Sequence, residues 1–104
     1  MKIEQISVAQ MNERLSENAN LQFIDVRRAG EFENGHAPRA KNLTLSDLEK
    51  LTDNLDSSRP TFVICQGGYR SSAATSILEQ KGFTKLYNIS SGTAAWIKAG
   101  LQTE

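Results

Sequence analysis

The sequence has few residues that could cross-link the chain or bind a metal: its 104 residues include one cysteine, Cys65, and one histidine, His36. A single thiol forms no disulfide within the chain, and these two side chains are too few for a multi-cysteine zinc or iron–sulfur site. We therefore expect no metal centre. Cys65 is then either a buried structural residue or a reactive thiol.

The sequence also lacks an excess of charge of either sign and any long hydrophobic run. Twelve lysines and arginines balance twelve aspartates and glutamates, so no overall field attracts a nucleic-acid backbone or an anionic membrane. No stretch approaches the ~18 apolar residues of a membrane span, and residues 1–5 lack the apolar run of a secretory signal. We expect a soluble protein of the reducing cytoplasm, with neither nucleic acid nor membrane as a partner.

The remaining composition is that of an ordinary globular domain. Hydrophobic residues make up 38% of the chain and charged residues 23%, with 2 prolines and 7 glycines, which is typical of neither a disordered nor a collagen-like chain. A chain of this length buries roughly 60–70% of the surface that its unfolded form exposes, enough for one sheet covered by helices. We expect a single domain over residues 1–104.

Apolar spacing and turn residues predict alternating strands and helices. Helices are predicted at residues 8–17, 46–55, 71–81 and 93–99, strands at 21–26, 61–65 and 85–89, and a loop with Gly30, Gly35 and Pro38 after the first strand. Capping boxes at residues 7–10 and 46–49 predict the first two helix starts, and Gly82 and Gly100 the last two helix ends. This alternation favours an α/β fold with a mostly parallel sheet and helices on both faces, because parallel strands need crossover connections.

Cys65 is predicted to lie at the carboxyl end of a strand, immediately before a glycine turn and a helix. This position predicts an exposed thiol. Gly67 and Gly68 allow the backbone to fold tightly, so that several N–H groups point at the sulfur from the positive end of the next helix. Such surroundings lower the pKa of a cysteine to roughly 3.5–7.5 and favour the thiolate. Arg70 adds a positive charge and a planar fork that suits an oxyanion such as thiosulfate.

The length of this loop separates two kinds of thiol chemistry. Four residues, Gln66 to Tyr69, lie between Cys65 and Arg70, whereas the phosphatase signature has about five to surround a phosphoryl group. The shorter loop favours the terminal sulfur of a persulfide on Cys65 as its occupant. A small phosphatase or arsenate reductase stays open as an alternative at this point, as does a buried structural cysteine.

Four motifs together resemble the rhodanese family in its single-domain form, and the match spans nearly the whole chain. The motifs are Asp25-Val26-Arg27 with Glu31-Phe32, the segment Gly35 to Asn42, the loop Cys65 to Ser71, and Gly92-Thr93-Ala94-Ala95-Trp96. They occur in the family's order and at family-like separations. Two positions depart from the family pattern, because Arg39 and Ser91 stand where the family usually has glycine.

The resemblance implies a three-layer α/β/α fold around a five-stranded, mostly parallel sheet. It also implies a sulfurtransferase that needs no cofactor. The Cys65 thiolate takes the outer sulfur of thiosulfate or a persulfide donor and passes it to cyanide, a thiol or a protein acceptor in a sulfur relay. The amides of Gln66 through Ser71 stabilise the persulfide and Arg70 orients the donor. A sulfur carrier or protein-binding module that turns over poorly is the alternative.

Several other residues receive narrower predictions. Asp25 either hydrogen-bonds the active loop, which is its family role, or caps a turn. Arg27 and Glu31 are interpreted as a structural ion pair, and His36 as scaffold.

The last residues of interest lie on or near the active loop and the final helix. Trp96 is predicted to pack in the core. Ser71 is either a helix-start cap or the serine that the family places after its arginine. Gln66 and Tyr69 stand at the loop mouth, where they are expected to bias the choice of donor or acceptor.

Overall fold

A computed structural model describes residues 3–17 and 21–104, so that parts of the predicted domain, residues 1–2 and 18–20, lie outside the described residues. The five strands are β1 (Ile3–Ile6), β2 (Gln22–Asp25), β3 (Lys41–Asn42), β4 (Thr61–Ile64) and β5 (Leu86–Ile89). The α-helices are α1 (Val8–Glu17), α2 (Ala29–Glu33), α3 (Leu48–Leu51), α4 (Tyr69–Gln80) and α5 (Gly92–Lys98). None of the described helices is long and apolar enough to cross a bilayer.

The sheet has five strands in the order β1-β5-β4-β2-β3, and every pairing is parallel. In the central strand β4, Val63 lies opposite Ile24 of β2 and Asn88 of β5. Because the strands are parallel, their carboxyl ends meet at one edge, where Asp25, Cys65 and Ile89 come together. The α/β fold with a five-stranded parallel sheet is confirmed.

The core consists of two hydrophobic clusters, one on each face of the sheet. On one face Phe23, Phe62 and Ile64 pack with Met11 of α1 and Trp96 of α5. On the other face Ile24, Val63 and Cys65 pack with residues of α3 and α4 such as Leu48 and Leu78. The three layers follow from the alternation of side chains along the strands, since successive residues point to opposite faces.

Most predicted elements form close to their predicted ends. Helix α1 begins with the predicted capping box, in which the Ser7 N–H donates to Gln10 Oε1 at 2.8 Å and the Gln10 N–H donates to Ser7 Oγ at 3.1 Å. Gly82 and Gly100 adopt φ of 95° and 74° at the ends of α4 and α5. Trp96 is fully buried and donates its indole N–H to the Gln102 carbonyl at 2.8 Å, so its predicted core role is confirmed.

The prediction for residues 46–55 is wrong in detail. The segment is one α-helical turn, α3, between two 3-10 turns, Leu45–Asp47 and Thr52–Asn54. The second predicted capping box does not form, because the first 3-10 turn begins one residue earlier, after Thr44, with no side-chain cap at either N-terminus. Thr44 instead donates its hydroxyl to Asp47 at 3.1 Å.

Three short elements were not predicted. Strand β1 has two exposed residues, Glu4 and Gln5, as an edge strand allows. Strand β3 is two residues long, and α2 has five residues in the segment predicted as a loop. Strand β3 and helix α2 are too short to reveal a period in the sequence. Strand β1 is as long as β2 but has only one fully buried residue, Ile6, so it lacks an apolar run.

The two departures from the glycine pattern have different outcomes. Arg39 adopts φ of 70°, the left-handed conformation that glycine adopts without strain, and its guanidinium donates to the Leu15 carbonyl at 2.6 Å. Ser91 has an ordinary φ of −97° at the start of α5. The chain therefore keeps the glycine-like turn at residue 39 with an arginine in it.

Candidate active site

The loop from Cys65 to Gly68 joins β4 to α4, and the start of α5 holds it in place. The Thr93 N–H donates to the Cys65 carbonyl at 2.7 Å, and the Ala94 N–H donates to the Gln66 carbonyl at 3.1 Å. Two glycines permit this close packing. A Cβ at Gly92 would overlap the Gln66 carbonyl oxygen, and a Cβ at Gly68, where φ is 94°, would overlap the Ser90 carbonyl oxygen.

The Cys65 sulfur lies beneath this loop. Its residue is only 1% exposed, so the expected exposed thiol is wrong: the sulfur is covered because the loop folds over the strand end. The Gly68 N–H donates to Sγ at 3.0 Å, and Ser71 Oγ lies 3.4 Å from Sγ. Both groups stand at the amino end of α4, where the helix dipole is positive.

Hydrogen bonds to the sulfur favour its ionised form. Burial raises the pKa of Cys65, but the Ser71 hydroxyl and the amides of Ser71, Gly68 and Gly67 together lower it below its ordinary value. Three of the predicted amides thus act on the sulfur. Ser71 is fully buried and belongs to the sulfur's immediate surroundings, beyond any role at the helix start.

Arg70 forms a bidentate ion pair with Glu31 of α2. Its guanidinium nitrogens lie 2.7 Å and 2.9 Å from the two carboxylate oxygens. This hydrogen-bonded pairing lowers the pKa of Glu31 to about 2 and raises the pKa of Arg70. The predicted pair of Arg27 with Glu31 is wrong, because Arg70 is the partner of Glu31. Two shallow clefts of about 360 and 270 Å³ border Arg70.

Arg27 pairs with Asp25 instead, and both side chains are buried. The Arg27 guanidinium donates to Asp25 at 2.8 Å, and the Arg27 backbone N–H donates to Asp25 Oδ1 at 3.0 Å, which is the turn-capping role. Arg27 also donates to Gln66 Oε1 at 3.3 Å and to the Gly35 carbonyl at 2.9 Å. Among the described contacts, Asp25 therefore reaches the active loop through Arg27 and Gln66.

The remaining predicted residues lie at the loop mouth or outside the site. Gln66 is exposed, and Tyr69 is 89% exposed. His36 is stacked on Phe32 with ring centroids 3.6 Å apart, and its Nδ1 lies 2.9 Å from the Phe32 carbonyl. It also exchanges backbone hydrogen bonds with Glu104. These contacts support the interpretation of His36 as scaffold.

Two residues of this region, Asn88 and Gln5, were not predicted from the sequence. Ser71 Oγ donates to Asn88 Oδ1 of β5 at 2.5 Å, and Asn88 Nδ2 donates to Gln5 Oε1 of β1 at 2.9 Å. A polar residue inside the apolar strand at residues 85–89 was a usable signal, because buried amides are retained where they have partners. Among the described residues, no three His, Cys, Asp or Glu side chains are grouped to bind a metal ion.

Comparisons with known proteins agree with this geometry. A family model described as a rhodanese-like domain matches residues 7–99. YtwF of Bacillus subtilis, named as a proposed sulfurtransferase, is 32% identical over 96 residues, which make up 92% of each chain. YrkF of the same organism, named as a proposed sulfur carrier protein, is 29% identical over 94 residues, or 90% of this chain and 51% of YrkF.

The solved structures include a close match over almost the full length. The crystal structure of a rhodanese-related protein from Thermoplasma volcanium has a TM-score of 0.86 and 27% identity, and the match covers 97% of both chains. Some curated relatives are longer than this chain, which spans about half of YrkF and 60% of another Bacillus subtilis protein.

Proposed function

The chain belongs to the rhodanese-like domain family, and from this premise we propose that it is a single-domain sulfurtransferase in which Cys65 carries the transferred sulfur. The supporting observation is the contact of the Gly68 N–H with the buried Cys65 sulfur at 3.0 Å. A dipole held in this position stabilises negative charge without a neighbouring base. The described surroundings of Cys65 offer this stabilisation while His36 is engaged with Phe32.

The reaction takes place in two displacements. The Cys65 thiolate attacks the outer sulfur of thiosulfate, the S–S bond of the donor breaks, and sulfite leaves with the bonding electron pair. The enzyme then holds a Cys65 persulfide anion. In the second displacement, cyanide or a thiolate attacks the terminal sulfur, thiocyanate or a new persulfide leaves, and the Cys65 thiolate is restored. A persulfide donor replaces thiosulfate in the same scheme.

The persulfide gains its stabilisation from the loop backbone. The amides of Gly67, Gly68 and Ser71 act on the Cys65 sulfur, and we expect the same amides to act on the terminal sulfur of the persulfide. These groups are fixed before the reaction, so they stabilise the new anion with little reorganisation. We assign the backbone amides of Gln66 and Tyr69 to the same group of hydrogen-bond donors.

Arg70 binds the anionic end of the donor. Its side chain is about one-third exposed, at 31%, and borders two clefts, one of which is also lined by Tyr69. Glu31 accepts two hydrogen bonds from one side of the Arg70 guanidinium. This contact fixes the guanidinium plane and leaves the other N–H groups of Arg70 to bind a sulfonate group. Asp25 contributes through Arg27, which holds the Gln66 side chain.

A second candidate is a sulfur carrier that is loaded and unloaded by partner proteins. The similarity to YrkF, named as a proposed sulfur carrier protein, supports it. Exposed Gln66 and Tyr69 at the loop mouth stand where a protein acceptor would approach in a cytoplasmic relay. A carrier accepts sulfur on Cys65 but turns over poorly with thiosulfate and cyanide.

Intact mass spectrometry after thiosulfate treatment tests the proposal. We expect one added sulfur atom on the wild type, its removal by cyanide, and no addition on Cys65→Ser. Steady-state thiocyanate production then separates the enzyme from the carrier, because only the enzyme turns over repeatedly. Absence of added sulfur with both thiosulfate and a persulfide donor would overturn both candidates. An aryl phosphate serves as the control substrate, and we expect no hydrolysis.

A further inference from the structure

A buried chain of hydrogen bonds connects the Cys65 sulfur to the edge of the sheet. Ser71 Oγ lies 3.4 Å from Sγ and 2.5 Å from Asn88 Oδ1, and Asn88 Nδ2 lies 2.9 Å from Gln5 Oε1. Ser71 and Asn88 are 0% and 3% exposed, whereas Gln5 lies on the exposed edge strand β1. Three neutral side chains from three elements thus lead from the reacting atom to the surface.

The number of protons in this chain limits how it can be arranged. Ser71 has one hydroxyl proton, which points to Asn88 Oδ1 in the structure, so the hydroxyl oxygen accepts from the thiol S–H. Once Cys65 is a thiolate, its sulfur accepts hydrogen bonds and has no proton to donate. For Ser71 to keep its hydrogen bond with the sulfur, its proton turns to the sulfur, and Asn88 Oδ1 then loses its donor inside the core.

A half-turn of the Asn88 amide resolves this conflict. It places Nδ2 toward Ser71 Oγ and Oδ1 toward Gln5, whose own amide turns to donate. Every buried polar atom keeps a partner in both arrangements, which matters because an unpaired buried acceptor is strongly unfavourable. Asparagine and glutamine suit this exchange, since each side-chain amide has a donor and an acceptor on one planar group.

We propose that Asn88 is a positioning residue, with Gln5 as its outer partner, whose amide reverses when Cys65 ionises so that Ser71 accepts from the thiol and donates to the thiolate or persulfide. The role of the persulfide rests on the proposed function, whereas the thiol–thiolate exchange does not. The charged groups on the elements around Cys65 are not part of this hydrogen-bond chain. They are Arg70 of α4 with Glu31 of α2, and Asp25 with Arg27 at the end of β2.

The test substitutes Gln5, at the outer end of the hydrogen-bond chain, where a change of side chain leaves the core intact. Gln5→Glu places an acceptor beside Asn88 and favours the thiol arrangement, whereas Gln5→Lys places a donor there and favours the thiolate arrangement. We expect the pH midpoint of Cys65 alkylation by iodoacetamide to rise by about 0.5–1 pH unit in Gln5→Glu and to fall in Gln5→Lys. Glu4→Gln, at an exposed position of the same strand, also changes the charge by +1 and is the matched control for the added charge of Gln5→Lys.

Direct action of charge through space predicts the same signs, so the variants are repeated in a second background. In Asn88→Leu, which is similar in size but has no amide, we expect the Gln5 substitutions to lose their effect on the midpoint. Ser71→Ala is a smaller change that interrupts the hydrogen-bond chain next to Cys65. It provides the same comparison if Asn88→Leu does not fold. Persistence of the shifts in either background would overturn the proposal.

Alkylation is measured without any sulfur donor, so its outcome is independent of the sulfurtransferase proposal. If the wild type loads sulfur but the Gln5 substitutions leave the alkylation midpoint unchanged, the role of Asn88 alone is refuted. Protein with the expected midpoint shifts but no sulfur loading refutes the proposed function alone.

Discussion

The two flanks of the Cys65 loop are built from different kinds of group. On one flank the sulfur contacts neutral dipoles, the Gly68 N–H at 3.0 Å and the Ser71 hydroxyl at 3.4 Å. On the other flank lie two ion pairs, Asp25 with Arg27 and Glu31 with Arg70. We call these the neutral flank and the ionic flank. The charges of the ionic flank are largely neutralised by each other, so they act on the sulfur less than their number suggests.

This difference assigns different tasks to the two flanks. A buried ion pair contributes little net stability over an apolar alternative, but removal of one partner leaves the other charge buried and uncompensated. Dipoles fixed in a tight loop need no compensation and lose no entropy when charge appears beside them. We therefore expect damage to the buried Asp25–Arg27 pair of the ionic flank to lower stability, and damage to the neutral flank to change the reactivity of the thiol.

The largest expected effect on stability comes from Asp25→Asn, which leaves the buried Arg27 guanidinium without its carboxylate. We expect the free energy of unfolding to fall by about 3–5 kcal/mol, measured by urea denaturation. The control is Asp53→Asn at an exposed position of the second 3-10 turn, which should change stability by less than about 0.5 kcal/mol. A loss for Asp25→Asn as small as that of the control would refute the division between the flanks.

A substitution on the neutral flank tests the other half of the comparison. Gly68→Ala forces a left-handed residue and an overlap with the Ser90 carbonyl oxygen, which displaces the N–H from the sulfur. We expect a stability loss of about 1–3 kcal/mol and a raised alkylation midpoint for Cys65. Gly82→Ala is the matched control, because Gly82 has nearly the same φ, 95° against 94°, and open space around its Cβ position. It should lose stability through strain alone, with the thiol midpoint unchanged.

The neutral flank was the more predictable of the two from sequence. Cys65, Gly68 and Ser71 are within one short segment, and a strand, a glycine turn and a helix in succession determine where their backbone groups point. The ionic flank depends on contacts between segments far apart in the chain. Arg27 and Glu31 were predicted to pair and lock the long loop, but α2 instead directs Glu31 toward Arg70.

The same reasoning explains which parts of the fold were predicted. Buried strands with apolar runs, such as β4, and the capped helix α1 have strong local patterns. Strands β1 and β3 depend on pairing with a neighbour, and the five-stranded count came from the family resemblance. The Ser71–Asn88 contact joins α4 to β5, so its residues gave no joint signal in the sequence. The burial of Cys65 likewise depends on how the loop folds over it.

A third substitution sharpens the comparison at the mouth of the site. Glu31→Gln removes one negative charge, while the amide oxygen still accepts a hydrogen bond that orients Arg70 and the groups that contact the sulfur stay in place. Removal of one negative charge near a bound anion is worth on the order of 0.5 kcal/mol in a water-like dielectric, so we expect the KM for thiosulfate to fall by about two- to threefold at low ionic strength. High salt should remove most of this effect. An unchanged KM at low salt would contradict the assignment of Arg70 to donor binding.

The pH dependence of stability gives a comparably small effect and isolates the Glu31–Arg70 pair. Arg70 lowers the pKa of Glu31 from 4.5 to about 2 in the folded protein, so the pair stabilises the fold above the unfolded pKa and this contribution disappears as pH falls toward 2. The pair is about one-third exposed, which limits the contribution to under about 1 kcal/mol. The unfolding free energies of wild type and Glu31→Gln should therefore differ at pH 6 and converge near pH 2. If the difference in unfolding free energy between wild type and Glu31→Gln stayed constant with pH, Glu31 would stabilise the fold through packing and not through its charge.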